Sequence, residues 1–215
     1  MKRFLFFISC GRCGTTRIAE ILKEKLPPDQ YTVVHQMKYS RLANVIGNLM
    51  LCLGSSEKIK KLLYYKIIAA YQNNYHFISA DPLTAMVIPK SLTDNPGNYI
   101  IHIQREPGAF AESMYSFSRK RLKSFIAHNF IPFWQLGILP LENIMNKNIK
   151  DKYKYTSAVK NSFFENKYGN QKNYIRIDMN NLFSERVLQT IIEKIFDEKI
   201  KILEKDLKKK SNEST

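Results

Sequence analysis

The 215-residue sequence has no apolar run of 18 or more residues, so no transmembrane helix is predicted. Cysteine is also scarce, and its three positions, Cys10, Cys13 and Cys52, are an odd number. Cys10 and Cys13 have Cys-x-x-Cys spacing, but the sequence has no second cysteine pair to complete a zinc site. We therefore expect small reduced cysteines packed in a crowded loop, no metal ligands, and a cytoplasmic protein.

Acidic residues are few, with 19 Asp and Glu against 34 Lys and Arg, so the net charge is +15. This excess predicts anionic substrates, anionic partners or contact with an anionic surface. The basic clusters lie on helical patterns at 58–61, 119–123, 147–154 and 199–210. They lack the recognised modules of nucleic-acid binders, so no specific nucleic-acid partner is expected, whereas peripheral membrane contact stays open. The sequence does not indicate an oligomeric state.

Short apolar runs alternate with helical patterns along the chain. Strands are predicted at Phe4–Ile8, Tyr31–His35, Tyr75–Ser79, Tyr99–Gln104 and Tyr174–Ile177. Helices are predicted at about 16–26, 40–53, 57–73, 108–128, 153–167 and 184–204. This alternation predicts a three-layer α/β/α fold around a mainly parallel sheet of about five strands. We expect one domain over residues 1–204 and a disordered charged tail over 205–215.

The most informative motif is the loop Ser9–Arg17, between the first strand and the first helix. A tight glycine-containing loop followed by a helix directs backbone N–H groups at one point, where the helix dipole favours an anion. The loop departs from the Walker pattern, because no lysine follows Gly14 and the basic residue Arg12 lies inside the loop. An anion other than a magnesium-bound nucleoside triphosphate is therefore expected.

A second group of residues lies at the end of the fourth predicted strand. Arg105-Glu106-Pro107 ends that strand and begins a helix, and Ser113 follows eight residues after Arg105. Proline suits a first helical position because its missing N–H would be unpaired there. Arg105 and Ser113 could converge on one phosphate, since a guanidinium matches phosphate oxygens and a hydroxyl adds a donor.

Together the two motifs resemble the sulfotransferases that use 3′-phosphoadenosine-5′-phosphosulfate (PAPS). Arg12-Cys13-Gly14-Thr15-Thr16 is similar to that family's 5′-phosphosulfate loop, with Cys13 in place of the usual Ser. Arg105, Pro107 and Ser113 are similar to its 3′-phosphate site, and Asn173–Leu182 resembles its closing strand and turn. The resemblance implies a P-loop NTPase-like fold and metal-independent transfer of a sulfuryl group to a hydroxyl or amine, releasing adenosine 3′,5′-bisphosphate (PAP). It implies cofactor binding by Gly11, Arg12, Cys13, Gly14, Thr15, Thr16, Arg17, Arg105 and Ser113.

Catalysis requires charge stabilisation and a general base. We expect Arg12 to stabilise charge on the bridging oxygen of the leaving group. Many family members place a carboxylate after the second strand, but here the position reads His35-Gln36, and glutamine cannot act as a base. His35 is a candidate because imidazoles titrate near neutral pH, and Asp81, at the end of the third strand, is the competitor.

Two other functions stay open. Phe77–Asp81 resembles the metal-binding strand of a P-loop kinase, and the fold could also serve as a non-catalytic module that binds anions or nucleic acid. The apolar segment Phe130–Leu141 could be a lid, an acceptor-binding loop or a buried connection. The acceptor itself could be a small molecule, a glycan or a lipid.

Overall fold

The computed structural model describes residues 2–71, 76–120, 122–123, 125–126, 148–184 and 186–208. Its sheet has five strands, all parallel, in the order β2-β3-β1-β4-β5. The strands are β1 (Phe4–Ile8), β2 (Tyr31–Val34), β3 (His76–Ser79), β4 (Tyr99–Gln104) and β5 (Tyr174–Asp178). The prediction of a P-loop NTPase-like α/β fold around a parallel sheet is confirmed.

Nine α-helices lie in the described part of the chain, and two 3₁₀ turns, Ala69–Tyr71 and Ala85–Val87, accompany them. The helices are α1 (Thr15–Lys25), α2 (Ser40–Leu53), α3 (Glu57–Ile68), α4 (Lys90–Thr93), α5 (Pro107–Arg119), α6 (Ile149–Tyr168), α7 (Met179–Leu182), α8 (Val187–Phe196) and α9 (Glu204–Lys208).

The helix predicted at 184–204 is shorter in the structure, where α8 covers Val187–Phe196. Asp197 has a left-handed backbone (φ 59°) that ends α8, and the chain forms α9 only from Glu204. The predicted lid or acceptor loop Phe130–Leu141 lies outside the described residues.

Apolar side chains cover both faces of the sheet, because successive residues of a strand point to opposite sides. Leu5 and Phe7 of β1 belong to one buried cluster with α1, α5 and α8. Phe6 and Ile8 belong to the other, with α3 and the carboxyl-terminal half of α6. These two cores produce the three layers.

The topology determines where a ligand can bind. From β1 the chain crosses to β2 at one side of the sheet, whereas from β4 it passes to β5 at the other. The strands β1 and β4 are neighbours, with Ile8 opposite His102. Their following segments therefore diverge and leave a crevice beyond their carboxyl ends, which is the usual ligand position in such folds.

Helix α9, at the end of the described residues, is attached to α1. Asp206 in α9 is buried, its carbonyl accepts hydrogen bonds from Arg17, and its carboxylate forms a 3.1 Å salt bridge with Lys25. Residues 209–215 of the predicted tail lie outside the described residues.

Two truncations test this attachment. Removing residues 204–215 should lower the free energy of unfolding by about 1–3 kcal/mol, because Arg17 and Lys25 lose their partner. Removing only 209–215 is the control and should leave stability unchanged. Urea denaturation measures both, and equal stability of the two shortened proteins would contradict a structural role for α9.

Candidate anion-binding site

The backbone of the loop after β1 turns through three left-handed residues. Gly11 (φ 105°), Arg12 (φ 53°) and Gly14 (φ 75°) all have positive φ. Helix α1 then begins at Thr15 without a side-chain cap, and its first carbonyl bond is from the N–H of Ile18 to Gly14. The N–H groups of the first turn are thus left without intrahelical partners, as an anion cradle requires.

Cys13 packs inward from this loop. Its thiol is fully buried and donates a 3.0 Å hydrogen bond to the carbonyl of Gly11. Cys10 is also buried, and its sulfur lies 3.3 Å from the hydroxyl of Ser157. The hydrogen bond between the two thiols lowers the pKa of Cys10 and raises the pKa of Cys13 well above its usual value. Both thiols are free, and they fill the core beneath the loop.

Lys160 of α6 interacts with Cys10. Its side chain is only 2% exposed, and burial lowers its pKa to about 8, partly offset by the interaction with Cys10. Within the described residues it forms no salt bridge with a carboxylate. The sequence carried no signal for this lysine, since it is one of many on a helical pattern.

Arg12 and Arg105 meet at the crevice between β1 and β4. Arg105 Nη1 donates a 2.8 Å hydrogen bond to the carbonyl of Arg12. Arg12 Nε donates in turn to the hydroxyl of Ser113 at 3.3 Å, and its guanidinium lies 4.6 Å from the ring centre of Phe117. The structure therefore brings together the residues of the two sequence motifs, Arg12, Arg105 and Ser113.

These two guanidinium groups have no anionic partner in the part of the chain that the structure describes. Across the described residues neither Arg12 nor Arg105 forms a salt bridge, and Arg105 Nε is buried with no hydrogen-bond partner. Burial, and then the charge of Arg105, lowers the pKa of Arg12. Two half-buried cations beside an orphaned N–H form a site that favours an anion.

His35 is held at the same edge of the sheet by a hydrogen bond at each of its two ring nitrogens. Nδ1 lies 2.6 Å from the carbonyl of Ala80, and Nε2 lies 2.9 Å from the hydroxyl of Thr16. A carbonyl only accepts, so Nδ1 carries the proton in the neutral ring. The lone pair of Nε2 then faces Thr16 of the anion loop.

Asp81 is 1% exposed, and backbone N–H groups occupy both of its oxygens. Met37 donates to one oxygen at 2.9 Å and Leu83 to the other at 3.0 Å. Burial raises the pKa of Asp81, and these two hydrogen bonds oppose the rise. The carboxylate thus ties the segment after β2 to the segment after β3.

Other predicted residues take different positions. The side chain of Arg17 turns away from the loop to Glu20 and the carbonyl of Asp206. Thr15 is buried, whereas Thr16 is exposed beside His35.

Phe183, which sequence reasoning missed, packs over Gly14 and limits the size of that residue. Among the described residues no group of His, Cys, Asp and Glu could hold a metal.

Gly14 should be intolerant of a side chain. A Cβ there would lie 2.5 Å from the ring of Phe183, in addition to the strain of the left-handed backbone. Gly14→Ala should therefore lower the free energy of unfolding by about 2–4 kcal/mol. Gly54→Ala is the matched control, because Gly54 has φ 96° and nothing within 4 Å of the added Cβ.

Urea denaturation compares the two variants. The control should lose only the backbone component, about 1–3 kcal/mol, because φ 96° and ψ 155° are angles that almost only glycine adopts. Adding Phe183→Leu to Gly14→Ala should restore part of the lost stability by giving the new methyl group space, whereas Phe183→Leu alone should lower stability. A Phe183→Leu change that lowers stability equally with Gly14 and with Ala at that position would contradict a close contact between Gly14 and Phe183.

Comparison with known proteins finds similarity in structure only. No protein-family profile and no curated protein sequence matches the chain. A sulfotransferase from Alicyclobacillus acidocaldarius has a TM-score of 0.50 and 13% identity, over 96% of this chain and 88% of that one. The sulfotransferase domain from the curacin biosynthetic pathway has a TM-score of 0.49 and 12% identity, over 96% and 77%. A mouse sulfotransferase complexed with PAP has a TM-score of 0.49 and 15% identity, over 96% and 62%. At a TM-score of 0.50, the Alicyclobacillus acidocaldarius protein shows that the chain has the fold of a sulfotransferase.

Proposed function

We propose that the chain is a sulfotransferase that uses PAPS as its sulfuryl donor. The observation that carries this proposal is the convergence of Arg12 and Arg105, which have no carboxylate partner among the described residues. Their motifs resemble the two phosphate motifs of that family and occur in the same order along the sequence. The absent Walker lysine favours sulfuryl over phosphoryl transfer, because a sulfuryl group carries less charge to neutralise.

The residues fit a nucleotide with anionic groups at both its 3′ and 5′ positions. Arg105 and Ser113 would hold the 3′-phosphate, and the orphaned Arg105 Nε supplies an unused donor. The free N–H groups of the first turn of α1, with the hydroxyls of Thr15 and Thr16, would hold the 5′ end. When bound, PAPS supplies the sulfuryl group and leaves as PAP.

Arg12 is the residue we assign to charge stabilisation. Its contacts with Ser113 and Phe117 hold the guanidinium in place before any ligand binds. Preorganised donors of this kind typically contribute about 2.7–4 kcal/mol to the stabilisation of a transition state. Loss of Arg12 should therefore reduce turnover more than it reduces PAP affinity.

We assign the general base to His35 and a positioning role to Asp81. His35 Nε2 carries the lone pair, while its Nδ1–H is fixed by Ala80, an arrangement that orients an imidazole for proton transfer. Thr16 contacts the same nitrogen, so the base lies beside the loop that would hold the donor. Asp81 has both oxygens engaged by backbone N–H groups, which are fixed in place. The Thr16 hydroxyl on His35 Nε2, by contrast, can rotate toward a bound 5′-phosphate and leave the lone pair of that nitrogen open.

The acceptor would enter beside His35. A cavity of about 390 Å³ lies after β2 and is lined by Gln36, Met37, Tyr39, Ser40, Arg41, Leu42 and Leu83. That volume suits a small molecule, or the end of a glycan or lipid head group. Its lining combines apolar side chains with the cation of Arg41, which favours an acceptor with an apolar part and a negative charge.

The free buried thiols of Cys10 and Cys13 suit a reducing compartment such as the cytoplasm.

Calorimetric titration with PAP and with ATP, each with and without magnesium, tests the donor. PAP should bind without metal and more tightly than ATP. Arg105→Ala should weaken PAP binding by about 10–100-fold, since hydrogen bonds to charged groups are lost. Arg176→Ala is the matched control, because that arginine is exposed and pairs with Glu165. Magnesium-dependent ATP binding would favour a kinase, and unchanged PAP binding in Arg12→Ala and Arg105→Ala would overturn the assignment.

Hydrolysis of PAPS, with water as acceptor, tests the base without knowledge of the natural acceptor. His35→Ala should slow hydrolysis by about 10²–10⁴-fold while PAP affinity changes little. Asp81→Asn should mainly lower the melting temperature, because its amide group would face a backbone N–H. Loss of turnover in a stable Asp81→Asn, with an active His35→Ala, would reverse the two roles. PAP binding by the wild type without hydrolysis would indicate a non-catalytic module.

A further inference from the structure

The outward face of α3 carries both lysines and large apolar side chains. Lys58, Lys61 and Lys66 are exposed, and between them lies Leu62, which is 75% exposed. At 100° per residue these four positions fall within one half of the helix circumference. The opposite face, with Tyr64, Ile67 and Ile68, is buried in the core. The exposed leucine is therefore not needed to hold α3 on the sheet.

The corner that precedes α3 extends this face. Leu53, the last residue of α2, is 81% exposed, and Ile59 in the first turn of α3 is 48% exposed. Only three residues, 54–56, separate the two helices, so Leu53 lies close to the start of the lysine-bearing face. We call the surface formed by Leu53, Lys58, Ile59, Lys61, Leu62 and Lys66 the α3 face.

The charge around the α3 face has one sign. Residues 38–71 contain six basic residues and a single acidic one, Glu57. Glu57 is already engaged by Lys60, at 3.1 Å, and by the backbone N–H of Lys90, at 3.0 Å. The nearest acid on the adjoining α4 segment, Asp94, lies 4.0 Å from Lys90. The exposed lysines of the α3 face therefore meet no free carboxylate from their own segment.

We propose that the α3 face docks on an anionic lipid membrane. Lysines beside exposed aliphatic side chains are the pattern of an interfacial helix, whose lysines contact lipid phosphates while its leucines enter the acyl boundary. A second copy of the chain is disfavoured, because the same positive surface would face itself. Nucleic acid is disfavoured because Leu53 and Leu62 would remain in water, whereas lipid would bury them.

This inference does not depend on the transfer reaction, because no residue of the α3 face belongs to the proposed cofactor or base site. The α3 face does, however, belong to the segment between β2 and β3, which also contains His35 and most of the residues that line the acceptor cavity. Docking through it would hold that connection near a lipid surface.

Co-flotation with phosphatidylcholine vesicles, with and without phosphatidylserine, tests the proposal. The wild type should float only with the phosphatidylserine vesicles, and less at high salt. Lys58→Glu/Lys61→Glu/Lys66→Glu should weaken binding by roughly 100-fold, since each lysine near the surface contributes about a fivefold factor. Lys194→Glu/Lys199→Glu/Lys201→Glu makes the same change in net charge at other exposed positions and should bind nearly as the wild type does.

The apolar contribution is tested separately. Leu53→Ser/Leu62→Ser should weaken vesicle binding by about tenfold or more, as two leucines no longer enter the lipid. Leu122→Ser, at another exposed leucine, is the control and should have no effect. All variants should retain the wild-type melting temperature and PAP affinity, because the altered side chains are exposed and remote from Arg12 and Arg105.

Three results would overturn the proposal. They are absence of vesicle binding by the wild type, equal losses in the two lysine triples, and wild-type binding by Leu53→Ser/Leu62→Ser. Binding to a short single-stranded RNA but not to vesicles would assign the α3 face to nucleic acid instead. Absence of PAP binding by the wild type would contradict the proposed function, and the vesicle result would remain valid.

Discussion

The hydrogen bond from Arg105 to the carbonyl of Arg12 is the contact on which the site depends. Because Arg12 is left-handed (φ 53°), its carbonyl faces the end of β4 while its side chain reaches Ser113. A non-glycine residue in that conformation lowers the free energy of unfolding by about 1–3 kcal/mol, and the surrounding contacts must offset this cost. Here one residue supplies both an acceptor that anchors Arg105 and a cation beside it, so the loop after β1 and the end of β4 form a single unit.

The other half of the sheet edge is organised in the same way. Gln36 (φ 53°) and Tyr39 (φ 67°) turn the chain sharply after β2, and Asp81 holds that turn through the N–H of Met37. His35 binds the carbonyl of Ala80, which directly precedes Asp81. Thr16 then joins His35 to the loop after β1. Side-chain-to-backbone hydrogen bonds thus link the ends of neighbouring strands, and all the candidate groups come to one edge.

The sequence predicted the strands well because strands buried on both faces leave continuous apolar runs, and β1 and β4 have the predicted bounds. The family resemblance also implied that Arg12 and Arg105 bind one cofactor, and the structure brings the two residues into contact. The sequence could not predict the hydrogen bond from Cys13 to the carbonyl of Gly11, which depends on the left-handed backbones of Arg12 and Gly14 on either side of Cys13. Nor could it distinguish Lys160 from surface lysines, because burial depends on α6 packing against the loop and not on local pattern.

Lys160 adds a third cation to this region at a cost to folding. Its pKa falls from 10.5 to about 8, so the folded protein holds this proton less tightly than the unfolded chain does. Burial of the charged form therefore costs roughly 3 kcal/mol at neutral pH, and the cost declines as pH rises from about 8 to 10.5. Lysines shifted this far are concentrated at functional sites. Lys160 interacts with Cys10, at the start of the loop after β1, and the packing that buries this thiol also buries the lysine. The packing that shapes the loop therefore includes an unfavourable buried charge.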